Sequence, residues 1–479
     1  MGRTDLVLKK NTKKLPNPSF FMISNLGGGG SDKYRETVYL DLFGNIPKLY
    51  NYYYLRTQGF AGKWLRKIDN FDTFADFINY TRESMIKDES YYSKSHDFKP
   101  YDANDQVILL DSGAANLIND ILKDLDIKNN YQEFLSKILK VMFEYYDFAA
   151  RYKFDMVISF DTGGKYTFKG DERHNKQIIE GNKYVEEISN DLNKLFLIET
   201  IKYLKKNKNF YPKVYATIHG NTPNEYLNYT KFILDTEKEM DYKFQGFALG
   251  GVASSKNIPK EEWGINNNEI KKIDIISKNT VGKSEIYNSI ITSYATRIVR
   301  SLIQDRPIHV LGGGGKLNII PLFFSGANSF DCQTPGRRAY DGNDNSTKHV
   351  FDNSYNDSFS MYLIGLINNK GKVINAGTDE FKYMDLNKVD SNVETCGCIS
   401  CSISSIDKIK QLYSNKSKSN EDYYYSRQLI NAHGIWQHQY LCDILKNVNN
   451  FDELYDLLSP TYAIKDVLKY IVKEFSYNI

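Results

Sequence analysis

The chain has 479 residues, of which 62 are Lys or Arg and 59 are Asp or Glu, so its formal net charge is only +3 at pH 7. With 41% hydrophobic and 14% aromatic residues, this composition is typical of a globular protein and excludes a disordered or fibrous chain. A near-zero net charge also argues against a general polyanion binder, so contacts with nucleic acid would have to come from local basic patches.

The sequence predicts neither a membrane span nor a secretory leader. No apolar run approaches the ~20 residues that cross a bilayer, and the first residues, Met1 to Asp5, begin no signal-peptide core. We therefore expect a cytoplasmic protein without a membrane partner.

Short apolar segments alternate with longer helical patterns along the chain, which is typical of repeated βα units and a parallel sheet. Helical patterns lie at 131–145 and 182–204. The predicted strands lie at 20–23, 107–110, 156–160, 214–218, 246–249, 309–311 and 329–330. This alternation favours an α/β fold, specifically a (β/α)8 TIM barrel.

Polar residues and glycines follow most of these predicted strands. They are Asp111 with Ser112, Asp161, His219, Gly250 with Gly251, the glycines at 312–315, and Asp331. Because the carboxyl ends of all strands in a (β/α)8 barrel meet at one rim, these residues are expected to line a single pocket. A lone Asp after a strand is commonly a helix cap or turn residue, but three of them in this position favour a shared site.

The glycine run at 312–315 does not indicate a nucleotide cofactor. It lacks the Lys-Ser/Thr of a P-loop and the glycine spacing of a dinucleotide fingerprint. ATP and NAD are therefore not expected.

Three of the five cysteines, Cys396, Cys398 and Cys401, lie within six residues. That spacing is too crowded for a disulfide framework in a cytosolic chain and favours a metal site over three reduced buried thiols. A tetrahedral zinc site needs a fourth ligand, for which His433 is the better candidate; His438 is expected to pack or face solvent. Four protein ligands close the coordination sphere, so the predicted Zn²⁺ is structural.

Several of these segments resemble the motifs of tRNA-guanine transglycosylases. Residues 309–315 and 326–338 are similar to the nucleophile region, Asp111-Ser112-Gly113 to the first catalytic carboxylate motif, and Phe160-Asp161 to the guanine-binding motif. Gly250-Gly251-Val252-Ala253 resembles the backbone recognition loop, and the cysteine triplet with His433 resembles the zinc site. These similarities follow the same order over residues 107–445.

The resemblance implies a role for each site residue. Asp331 would be the nucleophile that forms a covalent glycosyl intermediate, and Asp111 the general acid/base. The remaining residues would bind the base (Ser112, Asp161, His219, Gly250, Gly251) or the nucleic acid (Arg337, Arg338). The resemblance also implies a catalytic barrel over 1–395, with insertions at about 165–210, 256–290 and 343–395. A zinc-binding subdomain with C-terminal helices would follow over 396–479.

Departures from the tRNA enzymes resemble the DpdA branch, the DNA-guanine transglycosylases of bacterial islands and phages. Ala115 stands where the tRNA enzymes carry a base-stacking aromatic residue, and Tyr340 stands where they carry a second arginine. We therefore expect exchange of guanine in DNA for a 7-deazaguanine base. Two alternatives stay open: the same reaction on tRNA, which Arg337 favours, and a non-catalytic nucleic-acid-binding subunit, which the three aspartates oppose.

The incoming base is expected to be the neutral preQ0. Lys256 lies in the stretch where bacterial tRNA enzymes carry a Glu that accepts cationic preQ1, and a lysine would repel that cation. A duplex substrate needs its target nucleotide flipped out, so helper proteins that open duplex DNA are candidate partners.

Overall fold

A computed structural model describes residues 6–8, 13–24, 46–57, 68–87, 101–163, 176–220, 222–251, 271, 283–332, 366–367, 373–374, 405, 408, 411–412, 421–457, 469 and 472. Its centre is a closed barrel of eight parallel strands surrounded by helices. The prediction of a (β/α)8 barrel is confirmed to this extent.

The barrel strands follow one another around the barrel in chain order, and the last pairs with the first. They are β3 (Ser19–Ser24), β4 (Lys48–Asn51), β5 (Ile108–Asp111), β6 (Met156–Ile158), β7 (Lys213–Ile218), β8 (Gly246–Leu249), β9 (Ile308–Val310) and β10 (Ser329–Cys332). Before them come β1 (Leu6–Leu8) and β2 (Lys13–Leu15), which form an antiparallel hairpin. Two further short strands, β11 (Leu366–Ile367) and β12 (Val373–Ile374), also pair antiparallel.

Helices lie between the successive barrel strands from β4 to β10 and after β10. They are α1 (Tyr52–Thr57), α2 (Phe74–Lys87), α3 (Ala114–Leu122), α4 (Tyr131–Arg151), α5 (Lys176–Glu187), α6 (Ser189–Lys206), α7 (Pro223–Glu239), α8 (Lys283–Ile303), α9 (Lys316–Phe324), α10 (Glu421–Asn447) and α11 (Phe451–Leu457). A short 3₁₀ turn, Ile68–Asn70, precedes α2. None of the helices in these described ranges combines the length and apolar character that a bilayer crossing requires.

Two apolar clusters stabilise the barrel. The larger lies between the strands and the surrounding helices. The smaller fills the barrel interior and includes Phe21, Leu49, Leu109, Ile158 and Tyr215. Filling of the interior by side chains from successive strands is the usual packing of this fold, so the barrel is a core and not a pore.

The β1–β2 hairpin contributes to the interior at the amino-terminal end of the strands. Leu15 packs with the interior cluster. Lys13 Nζ contacts Asp155 Oδ2 at 2.8 Å and donates to the Gln106 carbonyl at the same distance. The charge of this largely buried lysine is therefore satisfied, and that end of the barrel has a structural role.

Helix α10, within the predicted subdomain 396–479, lies against the barrel. It packs against β3 and α9, and the rings of His438 and Phe20 lie 4.8 Å apart. His438 is buried, and its Nδ1 is 2.7 Å from the Gly434 carbonyl oxygen. Of the two alternatives expected for His438, packing or facing solvent, the structure shows packing.

Two features differ from the sequence-based expectations. Strand β4 was not predicted. The helical pattern at 182–204 is interrupted at Ile188, between α5 and α6. These two helices lie within the range of the predicted insertion at 165–210, and Leu192, Phe196 and Ile201 of α6 are buried in the core between helices and strands.

Candidate active site

The alternation of side chains along the strands brings the predicted site residues to one end of the barrel interior. Leu109 belongs to the interior cluster, and Asp111 lies two residues later on β5, so both share a face. Asp331 of β10 pairs in parallel register with the interior residue Phe21. His219 follows Tyr215 of the same cluster by four residues. The polar residues thus continue the apolar interior at the carboxyl ends of the strands.

Asp331 is 4% exposed and is held by contacts at its side chain and its backbone. Its Oδ1 accepts a hydrogen bond from the Gly312 N–H at 3.0 Å and lies 3.1 Å from His309 Nε2. The Gly314 N–H donates to the Asp331 carbonyl oxygen at 2.8 Å. A Cβ on Gly314 would lie 2.8 Å from the Asp331 carbonyl carbon, so this close approach requires glycine.

Asp111 lies beside β4, the neighbouring strand. Asn51 pairs with Asp111 in the register of β4 and β5, and its Nδ2 donates to Asp111 Oδ2 at 2.8 Å. The Gly113 N–H donates to the same oxygen at 3.3 Å. Both of these donors contact Oδ2, so the two neighbouring segments hold the carboxyl group in place beside the cavity.

A cavity of about 230 Å³ lies between the two carboxylates. Asp111 and Asp331 both line it, together with Asn51 and Tyr54. Its remaining walls are aliphatic, formed by Ile23, Leu49 and Leu311. Apolar walls with a few convergent polar groups are typical of a site for a small molecule.

Burial is the largest cause that raises the pKa of Asp111, to about 7, and the negative charges of Asp161 and Asp331 raise it further. Hydrogen bonds from the Gly113 and Ser112 N–H groups partly oppose this shift. A carboxyl group with a pKa near the operating pH can both donate and accept a proton, as a general acid/base must. Asp161 and Asp331 therefore lie close enough to Asp111 for their charges to act on its ionisation.

Asp161 and His219 form a second polar group at the same rim. His219 Nε2 is 3.5 Å from Asp161 Oδ1, and the Gly163 N–H donates to that oxygen at 2.5 Å. His219 is 7% exposed, and neither of its ring nitrogens has a hydrogen-bond partner among the described residues. Buried polar atoms are normally satisfied, so this imidazole is suited to bind a polar ligand.

The two glycines after β8 lie against this imidazole. A Cβ on Gly250 would come within 2.9 Å of His219 Cε1. Gly251 has a φ of +78°, in the left-handed region that favours glycine. Because Gly250 has no side chain, its backbone can lie directly against the His219 imidazole.

Ser112 is buried, and its Oγ accepts a hydrogen bond from the Ala114 N–H at 3.2 Å, at the beginning of α3. This contact gives the hydroxyl a local structural role beside the predicted role in substrate binding.

Several predicted residues lie outside the described residues. They are Arg337, Arg338, Cys396, Cys398, Cys401 and Lys256, and the side chain of His433. Within the parts of the chain that the structure describes, no group of three or more His, Cys, Asp or Glu is arranged to hold a metal ion. Because the three cysteines are not among those parts, the zinc site stays a prediction.

Three residues of the site were not predicted from the sequence. Asn51 and Tyr54 follow from the unpredicted strand β4 and the helix α1 that continues from it. His309 was included in a predicted strand, but its side chain was given no role. Only the fold shows that this histidine faces the barrel interior next to Asp331.

Comparison with known proteins adds no family assignment. No protein-family model matches the chain, and no curated protein matches it.

Proposed function

We propose that the protein is a DNA-guanine transglycosylase that exchanges guanine in DNA for a 7-deazaguanine base through a covalent intermediate on Asp331. The observation that carries this proposal is the placement of Asp111 and Asp331 on one cavity, each with different hydrogen-bond partners. When two carboxyl groups differ in environment, one can act as the nucleophile and the other as the general acid/base, as in retaining glycosidases.

Asp331 is the nucleophile in this reaction. The Gly312 N–H donates to Oδ1, and His309 Nε2 faces the same oxygen as a second donor, because a carboxylate only accepts hydrogen bonds. Such donors stabilise the ionised carboxylate. Its other oxygen attacks C1′ while the bond from C1′ to guanine breaks, which gives a glycosyl ester. Asp111 supplies the proton that the departing guanine gains and recovers it from the incoming base. One glycosidic bond replaces another, so the reaction needs no ATP.

Asp161 and His219 recognise the base in this proposal. The Asp161 carboxylate accepts hydrogen bonds from the N1–H and the exocyclic amine of guanine. The buried, unsatisfied imidazole of His219 and the Gly251 amide address the base carbonyl. The incoming base is preQ0, as the position of Lys256 in the sequence suggests.

Tyr54 supplies an aromatic wall for the bound base. It lines the cavity with both carboxylates, and its ring contacts that of Tyr53 at a centroid distance of 5.3 Å. Tyr54→Ala should weaken the binding of free preQ0 by about tenfold, since stacking of a base on an aromatic ring is worth roughly 1–3 kcal/mol. Tyr54→Phe, which keeps the ring, should bind like the wild type. Isothermal titration of both variants checks this, and equal losses in the two would exclude stacking.

One assay tests the proposed function. The full-length protein is incubated with radiolabelled preQ0 and either single-stranded DNA or tRNA, and label in the polymer is counted. We expect label in DNA, because flipping a nucleotide out of a duplex costs a few kcal/mol that a single strand avoids. Label in tRNA alone would replace the DNA proposal by the tRNA alternative. No label with either polymer, with duplex-opening partners also supplied, would favour the non-catalytic binding subunit.

We also propose that Cys396, Cys398, Cys401 and His433 hold a structural zinc ion. Cys398→Ala should then lose the metal and much of its soluble yield, because structural zinc contributes directly to folding. Cys442→Ala serves as the matched control: this free cysteine is buried in α10. The measurement is the zinc content of the purified wild-type and variant proteins. Wild-type zinc content in Cys398→Ala would show that this ligand is wrongly assigned.

A further inference from the structure

His309 is a buried polar side chain whose two ring nitrogens both have partners in the site. It is 0% exposed, on β9 beside β10. Its Nε2 lies 3.1 Å from Asp331 Oδ1, and its Nδ1 lies 2.9 Å from the Ser329 hydroxyl. The ring of Phe21 packs edge-on against the imidazole at 5.2 Å. The imidazole therefore has little freedom to turn.

The chemistry of Asp331 decides what faces it from the imidazole. A carboxylate only accepts hydrogen bonds, so Nε2 carries a proton toward Asp331, while Nδ1 contacts the Ser329 hydroxyl, which can donate or accept. The Gly312 N–H is the second donor to Asp331 Oδ1, at 3.0 Å. With Oδ1 engaged twice, Oδ2 is the oxygen that attacks.

We propose that His309 is a positioning residue that controls, through Asp331, how much of the enzyme is held as the covalent glycosyl ester. This inference rests on the proposed function. In the ester, Oδ1 belongs to a neutral group and accepts the His309 hydrogen bond less strongly than the free carboxylate does. His309 therefore stabilises the free carboxylate over the ester.

The bond changes of the two half-reactions set the direction of the effect. In the first, Asp331 Oδ2 bonds to C1′, the C1′–guanine bond breaks, and guanine takes its proton from Asp111. In the second, the incoming base gives a proton to Asp111 and bonds to C1′, and the electrons of the C1′–Oδ2 bond return to Asp331. The His309 hydrogen bond helps the second half-reaction because Asp331 is then the leaving group.

The experiment measures the ratio of trapped ester to exchanged base. The full-length protein is mixed with single-stranded DNA and preQ0, quenched in denaturant, and analysed for the protein–DNA adduct and for incorporated base. His309→Leu should raise this ratio by at least about fivefold, because hydrogen bonds to charged groups are the stronger ones. A loss of packing alone would lower both quantities together and leave the ratio unchanged.

Two amide variants keep the test decisive if His309→Leu does not fold. The amide of His309→Gln can reach the Nε2 position and should keep a ratio within about twofold of the wild type, since its donor to Asp331 remains. His309→Asn places its amide nearer the Nδ1 position and should behave like His309→Leu. Equal ratios in Gln, Asn and wild type would overturn the role of His309 but not the proposed function. A wild-type protein that forms neither adduct nor exchanged base would overturn both.

Discussion

If Asp331 is the proposed nucleophile, Asp331→Asn should abolish base exchange, with a loss of at least about 1,000-fold in rate, because an amide cannot replace a carboxylate that attacks C1′. Asparagine keeps the size of the side chain and an oxygen that can accept from Gly312 and His309. The fold should therefore survive. The measurement is the initial rate of preQ0 incorporation into single-stranded DNA, together with the thermal midpoint of each protein.

The matched control for Asp331→Asn is Asp235→Asn, the same chemical change at an exposed position of α7. Its exchange rate should equal that of the wild type. An Asp331→Asn protein that is folded and exchanges base at the wild-type rate would exclude Asp331 as the nucleophile.

The exchange rate should depend on the protonation of Asp111, whose pKa is raised to about 7 mainly by burial and further by Asp161 and Asp331. Departure of guanine requires the protonated form, so the rate of the first half-reaction should fall about tenfold per pH unit above that value. Asp111→Asn should lower the rate by about 100-fold or more and remove this dependence. Single-turnover release of guanine from pH 5.5 to 9 measures both effects.

The same ionisation links Asp111 to stability. The pKa of Asp111 is about 7 in the folded protein and about 3.9 in an unfolded chain. Between these values the folded protein keeps a proton that the unfolded chain has lost, so the free energy of unfolding decreases as the pH rises through this window. Above pH 7 Asp111 is ionised in both the folded protein and the unfolded chain, so the full loss of stability is present.

Asp111→Asn removes this cost. The free energy of unfolding of Asp111→Asn minus that of the wild type should therefore be larger at pH 8 than at pH 5. The expected increase is on the order of 1 to 2 kcal/mol, which allows for the partial exposure of the Asp111 side chain. Urea denaturation at the two pH values measures the change. A rate profile that is flat from pH 5.5 to 9, together with no relative gain in stability, would contradict the assignment of Asp111 as the acid.

The barrel was predictable because most of its strands end in recognisable ways. An apolar run followed by Asp, His or Gly marks β5, β7 and β8 in the sequence, and the carboxyl ends of such strands meet in this fold. Strand β4 lacks this signal. Its four residues, Lys48–Asn51, continue directly into α1 through a run of tyrosines, without a Gly or Pro to mark the boundary.

Missing β4 also concealed part of the site. The register of β4 with β5 brings Asn51 beside Asp111. Tyr54 lines the cavity because helix α1 begins directly after β4. His309 illustrates a second limit. A histidine inside an apolar strand does not reveal which neighbour it meets, and here the pairing of β9 with β10 supplies both Ser329 and Asp331.

The break at Ile188 was hidden for a related reason. The apolar spacing of the 182–204 segment continues across it, with Val185, Leu192 and Phe196 all buried, so periodicity alone predicted one helix. The structure instead forms two helices, and Ser189 Oγ donates to the Glu186 carbonyl oxygen at 2.9 Å where the first ends.

The most direct test of the account is to locate the covalent adduct. The wild-type protein is incubated with a short single-stranded DNA that contains guanine, quenched in acid, digested with protease and nuclease, and analysed by tandem mass spectrometry. We predict a peptide that carries one deoxyribosyl phosphate fragment, esterified to Asp331. A fragment mapped to Asp111 or Asp161, or base exchange that proceeds with no adduct on any carboxyl group, would contradict it.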